Sequence, residues 1–210
     1  MSRTNTQWIT YVLRHGPTAY SRSYRVNGDP SSEVLLTDDG PEMCTRAALE
    51  LPMDDFAVCV ATALPRTGQT ARLLLADRSL PVEVEPRLNE IDYGGFEGGE
   101  FNSYGDWLAV NGGWAVPPGA TESQRGALLR MFTALRDLLS RPGPRLVVGH
   151  GLMLSVLNWA RENPGSPLRE VFFPEGAYLT PLILADDELG LLLDFLVEDL
   201  TASFPAPALP

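Results

Sequence analysis

The sequence predicts an α/β domain with a mainly parallel central sheet and helices on both faces. Three observations carry that expectation. Strand-like and helix-like segments alternate along most of the 210 residues. The strand-like runs, such as FAVCVA and RLVVG, are short and continuously apolar, as in buried strands. A chain with 44% hydrophobic residues can also bury a substantial core in one unit. We expect one domain over residues 1–200, with an insertion at about 93–118 lying over the carboxyl edge of the sheet. An irregular Pro/Ala-rich tail, TASFPAPALP, follows at 201–210.

The elements follow in order. Trp8 to Leu13 reads as the first strand. Thr37 is the expected N-cap of a helix running to about Leu51-Pro52, with Asp38 and Asp39 placed favourably at its positive end. Phe56 to Ala61 is a second strand, and Pro65 suits the first turn of the helix that carries ARLLLA. Val82 to Val84 is a weaker third strand. Between Thr121 and Ser140 the apolar residues Leu128, Met131, Phe132, Leu135 and Leu138 recur at helical spacing, and Pro142-Gly-Pro stops that helix. Arg145 to Gly149 is a strand and Leu152 to Arg161 a helix. Tyr178 to Leu184 and Leu191 to Val197 read as two last strands joined by DDELG. The Gly- and aromatic-rich stretch from Tyr93 to Pro118 breaks the alternation.

Composition excludes several function classes. A net charge of −11 argues against a nucleic-acid partner and against an anionic membrane surface, both of which are bound through basic patches. The N-terminus MSRTNTQWIT has no apolar leader pattern and no segment keeps the apolar length of a membrane span, so a soluble cytoplasmic protein is expected. Cys44 and Cys59 lack ligand-like spacing and are expected to be buried free thiols. An anionic small substrate remains compatible, provided that a local cationic cluster overcomes the field of the whole protein.

The chain has only two histidines, His15 in VLRHG and His150 in VVGHG. Each follows a buried-strand signal and precedes glycine, so both should emerge at the carboxyl edge of the sheet, where such folds place their sites. No GxxxxGK[ST], GxGxxG or GxSxG motif is present, and no HExxH or carboxylate cluster adjoins either histidine to make a metal centre. Histidine itself is the remaining chemistry. A neutral imidazole can attack phosphorus when cations neutralise the non-bridging oxygens and an acid protonates the leaving oxygen. Arg14 adjoins His15, and Arg66 lies at the strand-to-helix turn ATALPRTGQTA. Their planar forks suit phosphate.

RHGPT, LPRTGQTA, LNEIDYGGFEG and VVGHG, in that order, resemble the histidine phosphatase superfamily, also called phosphoglycerate mutase-like, over about Tyr11 to Leu184. The resemblance implies the fold already predicted and gives each residue a role. His15 would be the nucleophile that forms a phosphohistidine. Arg14, Arg66 and a charged His150 would bind the phosphoryl group, with the Gly151 N–H nearby. Glu90 would be the proton donor and then the base for water. Asn27, in Arg25-Val-Asn-Gly28, would lie near the phosphate. Ser21 stands where the family often has asparagine, and its hydroxyl is a shorter candidate phosphate donor. No metal and no cofactor are implied.

Within that family, phosphatase is favoured over mutase. Mutases of this type typically read LNERHYG where this chain has Leu88-Asn-Glu-Ile-Asp-Tyr-Gly94. They also hold the substrate carboxylate with paired arginines in the following insertion. Here residues 93–118 contain no Lys or Arg and carry Glu97, Glu100 and Asp106. The expected activity is hydrolysis of a small organic phosphomonoester, the alternatives being a cofactor-dependent mutase and a non-catalytic phosphate-ligand binder. Phe101, Tyr104, Trp107 and Trp114 either enclose the leaving group or pack the insertion, and Arg22 and Arg25 either bind a second anion or face solvent.

Overall fold

The computed structural model describes residues 8–52, 56–76 and 78–204. Its sheet has the strand order β3-β2-β4-β1-β5, built from β1 (Ile9–Arg14), β2 (Val58–Ala61), β3 (Val82–Val84), β4 (Arg145–Gly149) and β5 (Leu182–Ala185). All neighbours run parallel except β5, which pairs antiparallel with β1.

Side chains alternate between two cores along the central strands, the period-2 signature of a sheet covered on both faces. Tyr11, Leu13, Cys59, Ala61, Leu146 and Val148 face one cluster, which Ala71, Leu74 and Leu75 complete. Val12, Val58, Val60 and Val147 face the other. The first cluster is covered by α2 (Gly40–Ala48) and α3 (Pro65–Leu75), following the single-turn α1 (Ala19–Arg22). The second is larger and is covered by α4 (Phe101–Asn111), α5 (Gln124–Leu138), α6 (Gly151–Glu162) and α7 (Asp186–Ala202). The α/β expectation, with its mainly parallel sheet and helices on both faces, therefore holds. Cys44 and Cys59 are buried and unpaired, and desolvation pushes their thiols up to about 11 and about 12. Among the described residues no helix is long and apolar enough to cross a membrane.

Three local expectations are corrected. Leu191 to Val197 is helical, the middle of α7. Leu189, Leu193, Leu196 and Leu200 form one buried stripe at helical spacing, and Asp186, Asp187 and Glu188 stabilise the first turn against the helix dipole. The strand expected over Tyr178 to Leu184 shrinks to β5, with Tyr178 left as an isolated bridge to Arg14. Leu179 takes a left-handed backbone at φ 58° and Pro181 cannot donate to a ladder, so pairing resumes only at Leu182. Thr37 is not an N-cap. Helix α2 starts at Gly40-Pro41 with Asp39 as cap residue, and the Thr37 hydroxyl donates to the carbonyl of Pro17. Proline in the first turn already removes one orphan N–H, so the missing side-chain cap costs less.

The stretch at 93–118 contains regular structure that its glycines concealed. Helix α4 buries Tyr104, Gly105 and Leu108, and Gly112 ends it at φ 79°. Of the tail, residues 201–202 close α7, while residues 205–210 lie outside the described chain.

Candidate active site

Strand register brings the two histidines together. Arg14 at the end of β1 pairs with Gly149 at the end of β4, and the His15 N–H donates to the Gly149 carbonyl at 3.0 Å. The chain leaves β1 toward β2 and leaves β4 toward β5, in opposite directions along the sheet. Such a divergence opens a crevice at the carboxyl edge. His15 and His150 flank it with ring centroids 5.4 Å apart.

Local bonds fix the tautomer of each ring. Nδ1 of His15 lies 2.6 Å from the Gly16 carbonyl, which can only accept, so Nδ1 carries the proton and Nε2 the lone pair. Nε of Arg66 donates to that Nε2 at 3.0 Å. Nδ1 of His150 accepts from Nη2 of Arg66 at 3.3 Å, so its Nε2–H donates to the Thr62 hydroxyl at 3.0 Å. The chain continues from Thr62 to the Thr67 hydroxyl at 2.9 Å and from there to the Leu64 carbonyl at 2.9 Å. Burial, and then the Arg66 charge, lower both imidazoles well below 6.5, with the Gly16 bond opposing the shift at His15. Burial and the Arg66 charge thus oppose the charged His150 that the resemblance implies.

Arg66 enters from the first turn of α3, whose Pro65 sets the backbone for a helix start. It is 4% exposed and reaches both Asn27 acceptors, with Nη1 on Oδ1 at 2.5 Å and Nη2 on the backbone carbonyl at 2.9 Å. Asn27 donates in turn to Glu97 Oε1 at 2.7 Å, and the Gly28 N–H to Oε2 at 2.8 Å. Gly28 has to be glycine, because a Cβ there would collide with the Ile91 carbonyl. That close approach seats Asn27 beside the Glu90-Ile91 segment.

Arg14 donates to the Gly176 carbonyl at 2.9 Å and pairs with Glu175 at 2.6 Å, while its guanidinium carbon lies 4.1 Å from the centroid of the Tyr178 ring. Its buried Nε has no partner among the described residues. Gly151, at the start of α6, keeps room beside that atom, since even a Cβ would come to 3.4 Å from it. The N-cap of α6 is His150, whose side chain makes no capping bond, so the helix turns its positive end toward the same crevice.

Glu90 lines the cavity, and one oxygen accepts from the Ile91 N–H at 3.0 Å. Desolvation raises its pKa above 4.5, against the smaller pull of Arg66, Arg14 and Arg130. Nearby acids are otherwise engaged. Asp92 holds the Gly94 and Thr121 N–H groups at 2.9 and 2.8 Å, and Glu97 holds the Asn27-Gly28 turn.

The structure therefore brings Arg14, His15, Asn27, Arg66, Glu90 and Gly151 to one cavity of about 470 Å³, with His150 behind Arg66. Ser21 lines the same cavity, but its hydroxyl donates to the Thr18 carbonyl at 3.2 Å while accepting from the Thr18 N–H at 2.9 Å in a capping box. Its one donor is spent there. Phe101 and Tyr104 reach the cavity, whereas Trp107 packs on Tyr104 and Trp114 on Phe204. Arg22 is paired with Asp39 at 2.5 Å. Arg25 lines the cavity with its Nε on the Gly98 carbonyl at 2.7 Å. Sequence reasoning missed Glu97 as the group that positions Asn27, and Thr62 and Thr67 as the groups that orient His150.

Residues 10–178 match the histidine phosphatase superfamily (branch 1). Over 157 residues the chain is 32% identical to an Enterobacter sp. (strain 638) protein named "Probable phosphoglycerate mutase GpmB", covering 70% of this chain and 71% of that one. Among solved structures, the mycobacterial glucosyl-3-phosphoglycerate phosphatase in complex with VO3 aligns with a TM-score of 0.67 at 22% identity, over 84% of this chain and 92% of that one. The alpha-ribazole phosphatase from Shigella flexneri aligns with a TM-score of 0.62 at 24% identity, over 83% and 89%. At such identities these two establish the shared fold.

Proposed function

The chain belongs to the histidine phosphatase superfamily, and from that membership we propose that it is a phosphomonoester hydrolase that carries the phosphoryl group on His15 without a metal ion. The observation that carries this reading is one cavity lined by both an imidazole lone pair and a carboxyl that burial pushes toward its protonated form. His15 offers an unprotonated Nε2, and Glu90 is a carboxyl whose surroundings favour the protonated form. A nucleophile and an acid are thereby poised together.

The steps follow from those states. A phosphate dianion enters between Arg14, Arg66 and the start of α6, and the unpartnered Arg14 Nε becomes one of its donors. Arg66 turns its Nε–H from the imidazole to a phosphoryl oxygen, which frees the lone pair. Nε2 attacks phosphorus, the bond to the ester oxygen breaks, and the Glu90 proton passes to the departing alkoxide. The Glu90 carboxylate then takes a proton from water as the water oxygen attacks phosphorus. The P–N bond breaks, its electron pair returns to Nε2, and orthophosphate leaves. Charge that a metal could supply comes from the two guanidinium groups.

A mutase must hold a released phosphoacid through its cycle. Among the described residues the only guanidinium lining the cavity besides Arg14 and Arg66 is Arg25, whose Nε is bonded to the Gly98 carbonyl, and Glu175 adds negative charge to the lining. This favours hydrolysis of a small soluble ester. Two buried, unpaired cysteines fit a reducing cytoplasmic setting.

The test is orthophosphate release from p-nitrophenyl phosphate by the parent and by His15→Ala, with and without chelator, beside interconversion of phosphoglycerates with bisphosphoglycerate present. Chelator-insensitive release that His15→Ala abolishes is expected. Efficient mutase turnover refutes hydrolysis as the main activity, and no turnover of either kind leaves a phosphate binder.

A further inference from the structure

The cavity is far larger than a phosphoryl group, and part of its lining differs from the residues expected to hold phosphate. There Phe101 and Tyr104 of α4 and Phe172, on the segment before β5, line the cavity, and Phe101 and Phe172 both pass close to Gly105. A Cβ at Gly105 would already touch Phe172 at 3.6 Å and Phe101 at 3.7 Å. The Tyr104 ring is fixed by an edge contact to Tyr93 at 4.9 Å and by the stacked Trp107 at 6.2 Å.

Two polar atoms in this part of the lining lack partners. Tyr104 is 2% exposed and Gln124 5%, both line the cavity, and the Tyr104 hydroxyl and Gln124 Oε1 have no hydrogen-bond partner among the described residues. Gln124 spends its Nε2 on the Val171 carbonyl at 2.9 Å, which leaves Oε1 as the idle atom of the amide. A buried carboxamide oxygen can only accept, so the group that completes it carries N–H or O–H. Among the described residues the charged side chains lining the cavity are Arg14, Arg25, Arg66, Glu90 and Glu175; Glu175 pairs with Arg14, and Arg25, bridged through its backbone to Glu100 beside Phe101, holds its Nε on the Gly98 carbonyl.

We infer that the leaving alcohol carries an uncharged ring with an N–H or O–H donor, seated among Phe101, Tyr104 and Phe172 and hydrogen-bonded to Gln124 Oε1. This rests on the hydrolase reading of the same site. The aromatic walls take the ring by stacking and edge contact. Gln124 then discriminates, because a buried acceptor left unpaired penalises a ring that lacks the donor. A carboxylate on the ring would meet that oxygen with like polarity.

Non-hydrolysable phosphonates read this subsite without turnover. Calorimetry on the parent protein compares propylphosphonate, 2-phenylethylphosphonate and the ring-hydroxymethyl and ring-carboxylate derivatives of the latter. The phenyl compound should bind roughly tenfold tighter than propyl, the hydroxymethyl derivative tighter again, and the carboxylate weaker than phenyl. Gln124→Leu should erase the hydroxymethyl gain. Tyr104→Phe, which keeps the ring, should reduce that gain while preserving the preference for phenyl over propyl. Equal binding of phenyl and propyl, or tightest binding of the carboxylate, overturns the inference. Release from p-nitrophenyl phosphate is scored separately. Turnover with a flat affinity order rejects the subsite alone, and the expected order without turnover rejects hydrolysis while the subsite stands.

Discussion

Arg66 donates its Nε–H to Nε2 of His15 at 3.0 Å, so the guanidinium proposed to neutralise phosphate also occupies the lone pair of the proposed nucleophile. Removing Arg66 therefore has two opposed effects on His15: it frees the lone pair and deletes the charge that draws phosphate in. The second dominates, because charge stabilisation acts on the transition state itself. Arg66→Ala should lower kcat/KM for p-nitrophenyl phosphate by about 10²- to 10³-fold. A thermal melt run alongside separates this from unfolding, and near-parent activity with a collapsed melt would make Arg66 structural.

His15→Ala should abolish phosphoenzyme formation. Rapid quench after mixing with radiolabelled phosphomonoester should give acid-labile, base-stable label on the parent and none on the variant. Label that persists in the variant moves the nucleophile elsewhere.

Glu90→Gln retains size and polarity but cannot give up a proton. Turnover should fall steeply with an alkyl ester, whose alkoxide needs protonation, and much less with p-nitrophenyl phosphate, whose leaving group departs without it. Equal losses on both esters would assign Glu90 a positioning role.

The same substitution has a stability signature. The Glu90 pKa is raised in the fold, so its contribution is fully present below about 4.5, the unfolded value, and is lost as pH rises through the folded pKa. Glu90→Gln removes that loss, and its Tm should pull ahead of the parent's progressively as pH increases above about 4.5. His15 and His150 act oppositely. Their lowered pKa values mean that an unfolded chain takes up protons below 6.5 that the folded site refuses, so both variants should lose stability in acid. A Tm difference between Glu90→Gln and parent that stays constant across pH would show that the fold leaves the Glu90 pKa unshifted.

Glu97→Ala strands two donors, the Asn27 side-chain amide and the Gly28 N–H, at a cost of about 1–3 kcal/mol. Because Glu97 acts through Asn27, the expected loss is mainly in KM and in inhibition by orthophosphate, with kcat less affected. Glu97→Gln, which keeps one acceptor, should recover part of it. An equal fall in kcat would place Glu97 on the reacting atoms.

The parts legible in the sequence are those written locally. Each strand-histidine-glycine boundary could be read from a few neighbouring residues, and β1, β2, β3 and β4 lie where their apolar runs indicated. Helix α7 was misread because LLLDFLV is apolar on both strand and helix periodicities. The deciding stripe of Leu189, Leu193, Leu196 and Leu200 extends beyond that window. Glu97 offered no local sign of its role, since its partner Asn27 is 70 positions away and only the folded loops bring them together. The orientation of His150 by Thr62 was hidden for the same reason, across 88 positions.

The pairing of β1 with β4 also sets when the candidate site can assemble. His15 is made early, but the strand that aligns it with His150 begins at Arg145, and the Gly149 carbonyl that accepts its N–H comes later still. A growing chain on the ribosome therefore carries His15 through the synthesis of every residue up to Arg145 without His150 or the start of α6 beside it. Its active centre is closed by one of its most sequence-distant strand contacts, the kind that folding forms slowly. Chains that end before His150 thus lack the paired histidines, and the candidate site assembles only once β4 has joined β1.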